Sequence, residues 1–399
     1  MTREQYQIFS PGNIGGLSVK NRLVRSATAE GSSDENGQFV PGLLDLYGAL
    51  AAGGAGMIIT GHMAVMPAGQ AGHAQTCIWD DSFIDVVAQI AEQIHQADDT
   101  YKAIAQLGHR GRQQTAADEI GDCTGPSALP SPILERTARE LTRDEIQEVI
   151  SSFGNAIARV KKAGFDGVQL HAAHGWLLSS FLSPYTNQRT DDYGGSLENR
   201  MRIISDIVSR GRELVSDFPI MVKINCDDFV PGGVDAQLFA EQAALEEIGV
   251  DAIEVCGGMW DCLIRSESEL GWFPMPIPEA RTKIGTTEKQ SYFRKYVEQL
   301  GTKIPIILIG GNKNVESLEE IAKSGLVDFF SMSRPFICEP DLPNRWLEGR
   351  GKDRADCISC NTCIISMREG VIYCMFKKDK EKQKETQKLL NETWRAVFK

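Results

Sequence analysis

Two groups of reactive side chains stand out. The first is His171-Ala172-Ala173-His174-Gly175-Trp176, a pair of imidazoles followed by an indole. The second is Cys357-x2-Cys360-x2-Cys363-x10-Cys374, three closely spaced thiols and one set apart. The imidazole pair admits three readings. With His62 and His109 it could ligate a metal, as in a barrel hydrolase. It could instead hydrogen-bond a carbonyl or phenolate oxygen of a substrate, or both rings could be satisfied in a core. No carboxylate stands in a metal-like arrangement with these histidines, and Glu254 is the nearest candidate. Three-plus-one cysteines suit the four thiolates of a 4Fe–4S cluster, whereas zinc more often takes two separated Cys-x-x-Cys pairs. Zinc or plain thiols remain the alternatives. A third group is Gly310, Gly311 and Arg334. Glycines let backbone N–H groups approach an anion, and a guanidinium adds a fixed fork of donors, so these residues suit a phosphate. The plainer reading is a tight turn.

These residues need elements to position them. Eight apolar runs read as strands: Arg22–Ala27, Met57–Thr60, Ala103–Leu107, Gly167–Leu170, Ile220–Asn225, Ala252–Val255, Pro305–Ile309 and Val327–Ser331. Amphipathic helical segments lie between them. In Leu141–Gly164, Thr142 and Glu145 form a capping box, and Ile146, Val149, Ile150 and Phe153 follow at helical spacing. Glycines at 54, 164, 249 and 325 punctuate helix-to-strand turns. Eight strands alternating with helices predict an α/β (β/α)8 TIM barrel. The rival, a doubly wound sheet, lacks a Gly-x-Gly-x-x-Gly after any strand. Residues 1–350 are read as the barrel and 351–399 as a short C-terminal cysteine-rich extension, ending in a charged helix over Lys377–Lys399. In such a barrel the active site lies at the C-terminal ends of the strands. The histidine pair follows strand four, Gly310 and Gly311 follow strand seven, and Arg334 follows strand eight.

The 399 residues carry 42 Lys plus Arg and 54 Asp plus Glu, a net charge of −12. That charge repels phosphate backbones and anionic lipid, so nucleic acid and membrane surfaces are not expected partners. No apolar run approaches the roughly 18 residues of a membrane span, and the N-terminus has no signal-peptide core. The expected location is cytoplasmic, with the 10 cysteines reduced or metal-bound.

The stretch from Phe181 to Arg200, with its Asp191-Asp192-Tyr193-Gly194-Gly195-Ser196-Leu197-Glu198-Asn199-Arg200, adds a resemblance. Together with His171 to Gly175, Lys20-Asn21-Arg22, Gln106-Leu107-Gly108-His109 and Ser333-Arg334-Pro335, it resembles the old yellow enzyme family of FMN-dependent ene-reductases. The likeness spans essentially the whole barrel. It implies FMN over the barrel mouth. Ser26, Ala27 and Thr28 match the segment whose backbone lines the flavin, and Gly61 matches a second-strand contact. Gln106 matches the amide that bonds the pyrimidine ring. Lys223 stands where relatives carry a cation, usually Arg, facing flavin N1 and O2. Gly310, Gly311, Ser333 and Arg334 match the phosphate cradle, and His171 and His174 the pair that holds the substrate carbonyl. Trp176 departs from the family, because many relatives place a proton-donating Tyr there. Ala29 likewise replaces a Cys or Thr. The cysteine segment resembles that of trimethylamine dehydrogenase and 2,4-dienoyl-CoA reductase, which implies Cys357, Cys360, Cys363 and Cys374 as cluster ligands.

The implied reaction is hydride transfer from NAD(P)H through FMN to an α,β-unsaturated carbonyl compound. A flavin dehydrogenase or oxidase is the alternative, as is an electron-transfer subunit exchanging electrons with a separate partner. The barrel metallohydrolase is the reading from another class. A homo-oligomer is compatible with all of these. The segment Trp260–Glu279 is expected to shape the substrate pocket.

Overall fold

The computed structural model describes residues 2–397 except 32, 35–38, 41, 73, 114–121, 135, 243–247 and 275. Eight strands are buried along essentially their whole length on both faces, which is why each reads as a continuous apolar run rather than an alternating one. They are β1 (Leu23–Arg25), β2 (Met57–Ile59), β3 (Lys102–Gly108), β4 (Gly167–Ala172), β5 (Ile220–Asn225), β6 (Ala252–Cys256), β7 (Ile306–Leu308) and β8 (Phe329–Met332). All pair in parallel with their sequence neighbours. The ring closes where Phe330 of β8 pairs with Leu23 of β1. This is the (β/α)8 barrel expected from the sequence, every strand falling within a residue or two of its apolar run.

Helices form the outer layer. The longest, Arg143–Lys162, starts at the expected capping box, with the Thr142 side chain accepting from the Glu145 N–H. Its buried face, from Ile146 to Val160, packs on Leu197–Val215, the helix after β4. It ends at Gly164, whose φ of 84° turns the chain towards β4.

Inside the barrel lies a separate apolar layer. It comprises Val24, Met57, Ile59, Ile104, Met221, Ala252, Ile307 and Phe329 from the strands, joined by Ile14 and Val19. The last two come from an N-terminal hairpin, Gly12–Ile14 paired with Leu17–Val19, which plugs the barrel floor. Gly12 is required there, since a Cβ would lie 2.6 Å from the Phe329 ring.

The C-terminal segment crosses the opposite end. The Lys313 ammonium donates to the Cys357 carbonyl and, at 3.3 Å, to Ser359 Oγ. Asn361 Nδ2 donates to the Ala280 carbonyl at 3.0 Å, and Arg334 donates to Asn361 Oδ1. Ser359 and Asn361 take left-handed backbone, φ 58° and 64°. The expected tail helix begins at Lys380 and runs to Val397, with residues 398–399 outside the described residues. No helix among the described residues is long and apolar enough to cross a membrane.

Candidate active site

A cavity of about 320 Å³ opens at the C-terminal ends of the strands. Its base is a polar network drawn from six strands or their ends. Glu254 of β6 is the hub: Oε1 accepts from Ser26 Oγ at 2.7 Å and from Ser331 Oγ at 2.6 Å. Its Oε2 accepts from Gln169 Nε2 at 3.0 Å and lies 3.4 Å from the Lys223 ammonium. Gln106 Nε2 donates to Gln169 Oε1 at 2.7 Å, and Lys223 donates to Ser26 Oγ at 3.1 Å. All six side chains are buried. Burial works against the charge on Lys223, but the Glu254 carboxylate beside it, with Cys256 and Glu279 contributing less, outweighs that and raises its pKa. A fixed cation therefore lies at the base of the cavity. Glu254 was left open by the sequence; only the folded register, which sets it opposite Lys223, reveals its role.

The histidine pair sits on the next sector of the wall. His171 is the penultimate residue of β4, beside Lys223 in register, and its ring is 5.2 Å from that of His174. His171 Nδ1 and His174 Nε2 are buried without a hydrogen-bond partner. Burial, then the charges of His174, His62 and Lys223, hold the His171 pKa well below the ordinary histidine value. Burial, then Lys223 and His62, do the same for His174. Both rings are thus neutral near pH 7, and a neutral imidazole keeps one N–H that it can offer to an oxygen. His174 has a φ of 61°, a strained left-handed conformation for a residue other than glycine. Its backbone N–H donates to Asn225 Oδ1 at 3.1 Å, and Asn225 Nδ2 donates to Asp228 Oδ1 at 2.8 Å. Asn225 and Asp228 therefore hold the backbone that carries the ring, a role that their sequence context does not announce.

Gly310 and Gly311 line the far end with φ of 116° and 82°. A Cβ on either would come within 3 Å of Phe293 or Tyr292, so the turn accepts only glycine and leaves its backbone bare towards the cavity. Ser333 and Arg334 line the same end, and Thr28 Oγ1 donates to Ser333 Oγ at 2.8 Å.

Of the residues singled out from the sequence, Ala27, Thr28, Gln106, His171, His174, Trp176, Lys223, Gly310, Gly311, Ser333, Arg334 and Cys363 line this one cavity. Ser26 lies beneath it, bonded to Glu254 and Lys223. Gly61 is set back: its N–H meets the Glu30 carboxylate at 3.2 Å, and a Cβ there would lie 2.3 Å from Glu30 Oε2. Trp260, Ile277 and Glu279 of the loop after β6 line the cavity, while position 275 of that loop lies outside the described residues. His109 packs against Gly69, away from the pair. Among the described residues no three His, Cys, Asp or Glu side chains converge as ligands of a metal ion. This removes the support for a hydrolase reading of the histidines.

The residues fit FMN. A buried cation, an amide on the neighbouring strand, glycine backbone beside Arg334 and two unpartnered imidazoles face one cavity. For the cysteines the picture is looser. Cys363 is pushed up to about 12 by burial, with Arg334 opposing and Cys357, Cys360 and Cys374 adding to it, so the four thiols share one neighbourhood. They do not close around one ion, and Cys374 hydrogen-bonds instead with Cys338. A 4Fe–4S cube holds its thiolates farther apart than a single ion does, so this gathering is less at odds with a cluster than with zinc.

Residues 7–353 match the family described as NADH:flavin oxidoreductase / NADH oxidase. An NADH oxidase of Thermoanaerobacter brockii is 35% identical over 369 residues, covering 90% of this chain and 54% of the relative. An NADPH dehydrogenase of Bacillus pumilus is 34% identical, covering 84% of this chain and 93% of the relative. A structure of 2-naphthoyl-CoA reductase with 2-naphthoyl-CoA superposes with a TM-score of 0.82 at 26% identity, covering 94% of this chain and 57% of that one. The chain thus spans about half the length of some of its relatives and nearly all of others.

Proposed function

As the chain belongs to the NADH:flavin oxidoreductase / NADH oxidase family, whose cofactor is FMN, we propose that it transfers hydride from NAD(P)H to an α,β-unsaturated carbonyl compound. The observation that carries this reading is the pair of buried, unpartnered, neutral nitrogens, His171 Nδ1 and His174 Nε2. Both histidines line the same cavity as Lys223. FMN, when bound, supplies the hydride chemistry: it takes a hydride equivalent from NAD(P)H and releases it to the substrate. Lys223 favours negative charge at the base of the cavity. The glycines after β7, with Ser333 and Arg334, would hold the phosphate. His171 and His174 donate to the substrate's carbonyl oxygen, and their hydrogen bonds strengthen as that oxygen gains charge. Substrate is thereby activated at its β carbon without any change of protonation in the pair.

We further propose that Cys357, Cys360, Cys363 and Cys374 hold a 4Fe–4S cluster, which would make an electron-transfer partner part of the working system. Support comes from the three-plus-one spacing of the four cysteines and from their sharing one neighbourhood.

The test is a pair of half-reactions on purified protein. NAD(P)H added anaerobically should bleach the flavin, and cyclohexenone should then restore it. Bleaching without restoration by any activated alkene would overturn the ene-reductase reading in favour of a dehydrogenase or oxidase.

A further inference from the structure

Trp176 leaves the proposed reaction without the proton donor that relatives place at that position, since an indole N–H is too weak an acid to serve. The structure puts a different titratable group on the same wall. His62, three residues beyond β2, has its ring 4.9 Å from Trp176 in an edge-on arrangement and 5.5 Å from His171. It lines the main cavity. It also lines a second cavity of about 230 Å³, walled by Glu30, Gly61 and residues 71, 72 and 74–76. Ala29, His62, Trp176 and Met367 are common to both cavities and form the partition between them. The outer wall of the second cavity is partly exposed, so water can reach it. Ala29 matters here, because a larger residue there would thicken the partition.

We propose that His62 is the catalytic proton donor of this enzyme, passing a proton from water in the second cavity to the α carbon of the substrate. The inference rests on the ene-reductase reading above. The step balances as follows. As the β carbon receives hydride from reduced FMN, the α carbon takes a proton from an imidazole N–H of His62. That N–H bond breaks as the C–H bond forms. The imidazole is restored by a proton from water, and the hydroxide left behind is neutralised by solvent. The net change is alkene plus hydride plus proton to alkane, with FMN reoxidised.

The other groups at the cavity are less suited. His171 and His174 hold the carbonyl oxygen and are occupied there. Lys223 is bonded to Ser26 and Glu254 below. Glu279 also lines the cavity; burial raises its pKa while Lys223 and Arg334 oppose that rise, so it is the rival donor that the Glu279→Gln variant separates from His62. Burial lowers the His62 pKa to about 4, so the donor near pH 7 is the neutral ring. A carbanion α to a carbonyl is basic enough to take its proton.

Stopped-flow measurement of the separate half-reactions tests this. In His62→Ala, reoxidation of the flavin by cyclohexenone should slow about 10²–10⁴-fold, the usual range for a lost general acid. Reduction by NAD(P)H and the affinity for a phenol should stay within about threefold, which a merely structural role would not allow. Imidazole in the buffer should restore part of the reoxidation rate, and so should adding Trp176→Tyr to His62→Ala, since both side chains lie on one partition. Reoxidation within threefold of wild type, equal loss in both half-reactions, or a loss found only in Glu279→Gln would each overturn the assignment. If the wild type itself reduces no activated alkene, the ene-reductase reading falls and takes this one with it. An intact wild type with an intact His62→Ala removes only the role of His62.

Discussion

His171 and His174 illustrate how much a spacing can say. Two imidazoles three apart at the end of a barrel strand announce a site, but not whether they serve a metal, an oxygen or a core. Their unpartnered nitrogens, and the lack among the described residues of further side chains gathered as ligands, support the reading in which they serve an oxygen. With both donors removed in His171→Ala/His174→Ala, FMN should remain bound while affinity for a phenol falls at least about 100-fold, on the scale of one lost oxyanion donor. A spectral titration checks this, and unchanged affinity would sink the assignment. Trp176→Tyr restores a phenolic O–H beside His62 and should speed reoxidation by an enone if protonation limits it; stopped-flow traces of the two proteins give the comparison. Glu254, Asn225 and Asp228 were not legible at this scale. Each looks like any polar residue in an apolar run, and its meaning is a partner on another strand.

At the scale of elements the sequence was more generous. Buried parallel strands leave continuous apolar runs, and a capping box marks the start of the Arg143–Lys162 helix. Thr142→Ala should cost about 1 kcal/mol by denaturant unfolding, because it leaves a first-turn N–H without its acceptor. The two-stranded hairpin at the floor went unread, its strands of three residues being too short for a period to show. What no single element displays is the pairing of Lys223 on β5 with Glu254 on β6. Glu254→Gln would leave Lys223 buried and uncompensated, and breaking such a pair costs about 3–5 kcal/mol. Adding Lys223→Met should recover much of that stability while leaving flavin reduction impaired. Thermal unfolding and stopped-flow reduction measure the two effects separately.

The whole molecule adds what lies far apart in sequence. That the segment after residue 351 helps wall the cavity was beyond reach, because its ties to Ala280, Lys313 and Arg334 are long-range. Anaerobically purified protein should contain about four irons per chain, lost in Cys360→Ala with FMN retained, since the proposed cluster uses all four thiolates. One zinc and no iron by metal analysis would contradict it. Acid stability follows from the histidines. Burial lowers His62 to about 4 and His109 to about 3. The unfolded chain therefore binds protons from about pH 6.5 downwards that the folded chain refuses until near pH 4, so stability falls as pH falls through that window. Melting temperatures at successive pH values should decline from pH 7 to 4, and a flat profile would show that the buried rings are not neutral.

The network around Glu254 also limits how this enzyme can diversify. Ser26, Gln106, Gln169, Lys223, Glu254 and Ser331 satisfy one another, so changing any one alone strands a buried partner, and effects within such a set do not add. Random libraries aimed at these positions should return mostly unfolded or flavin-free clones. Viable routes to new substrates run through the rim instead, at Trp260 and Ile277, which line the cavity outside that network. The barrel is frozen where it holds its cofactor and free to drift where it meets its substrate.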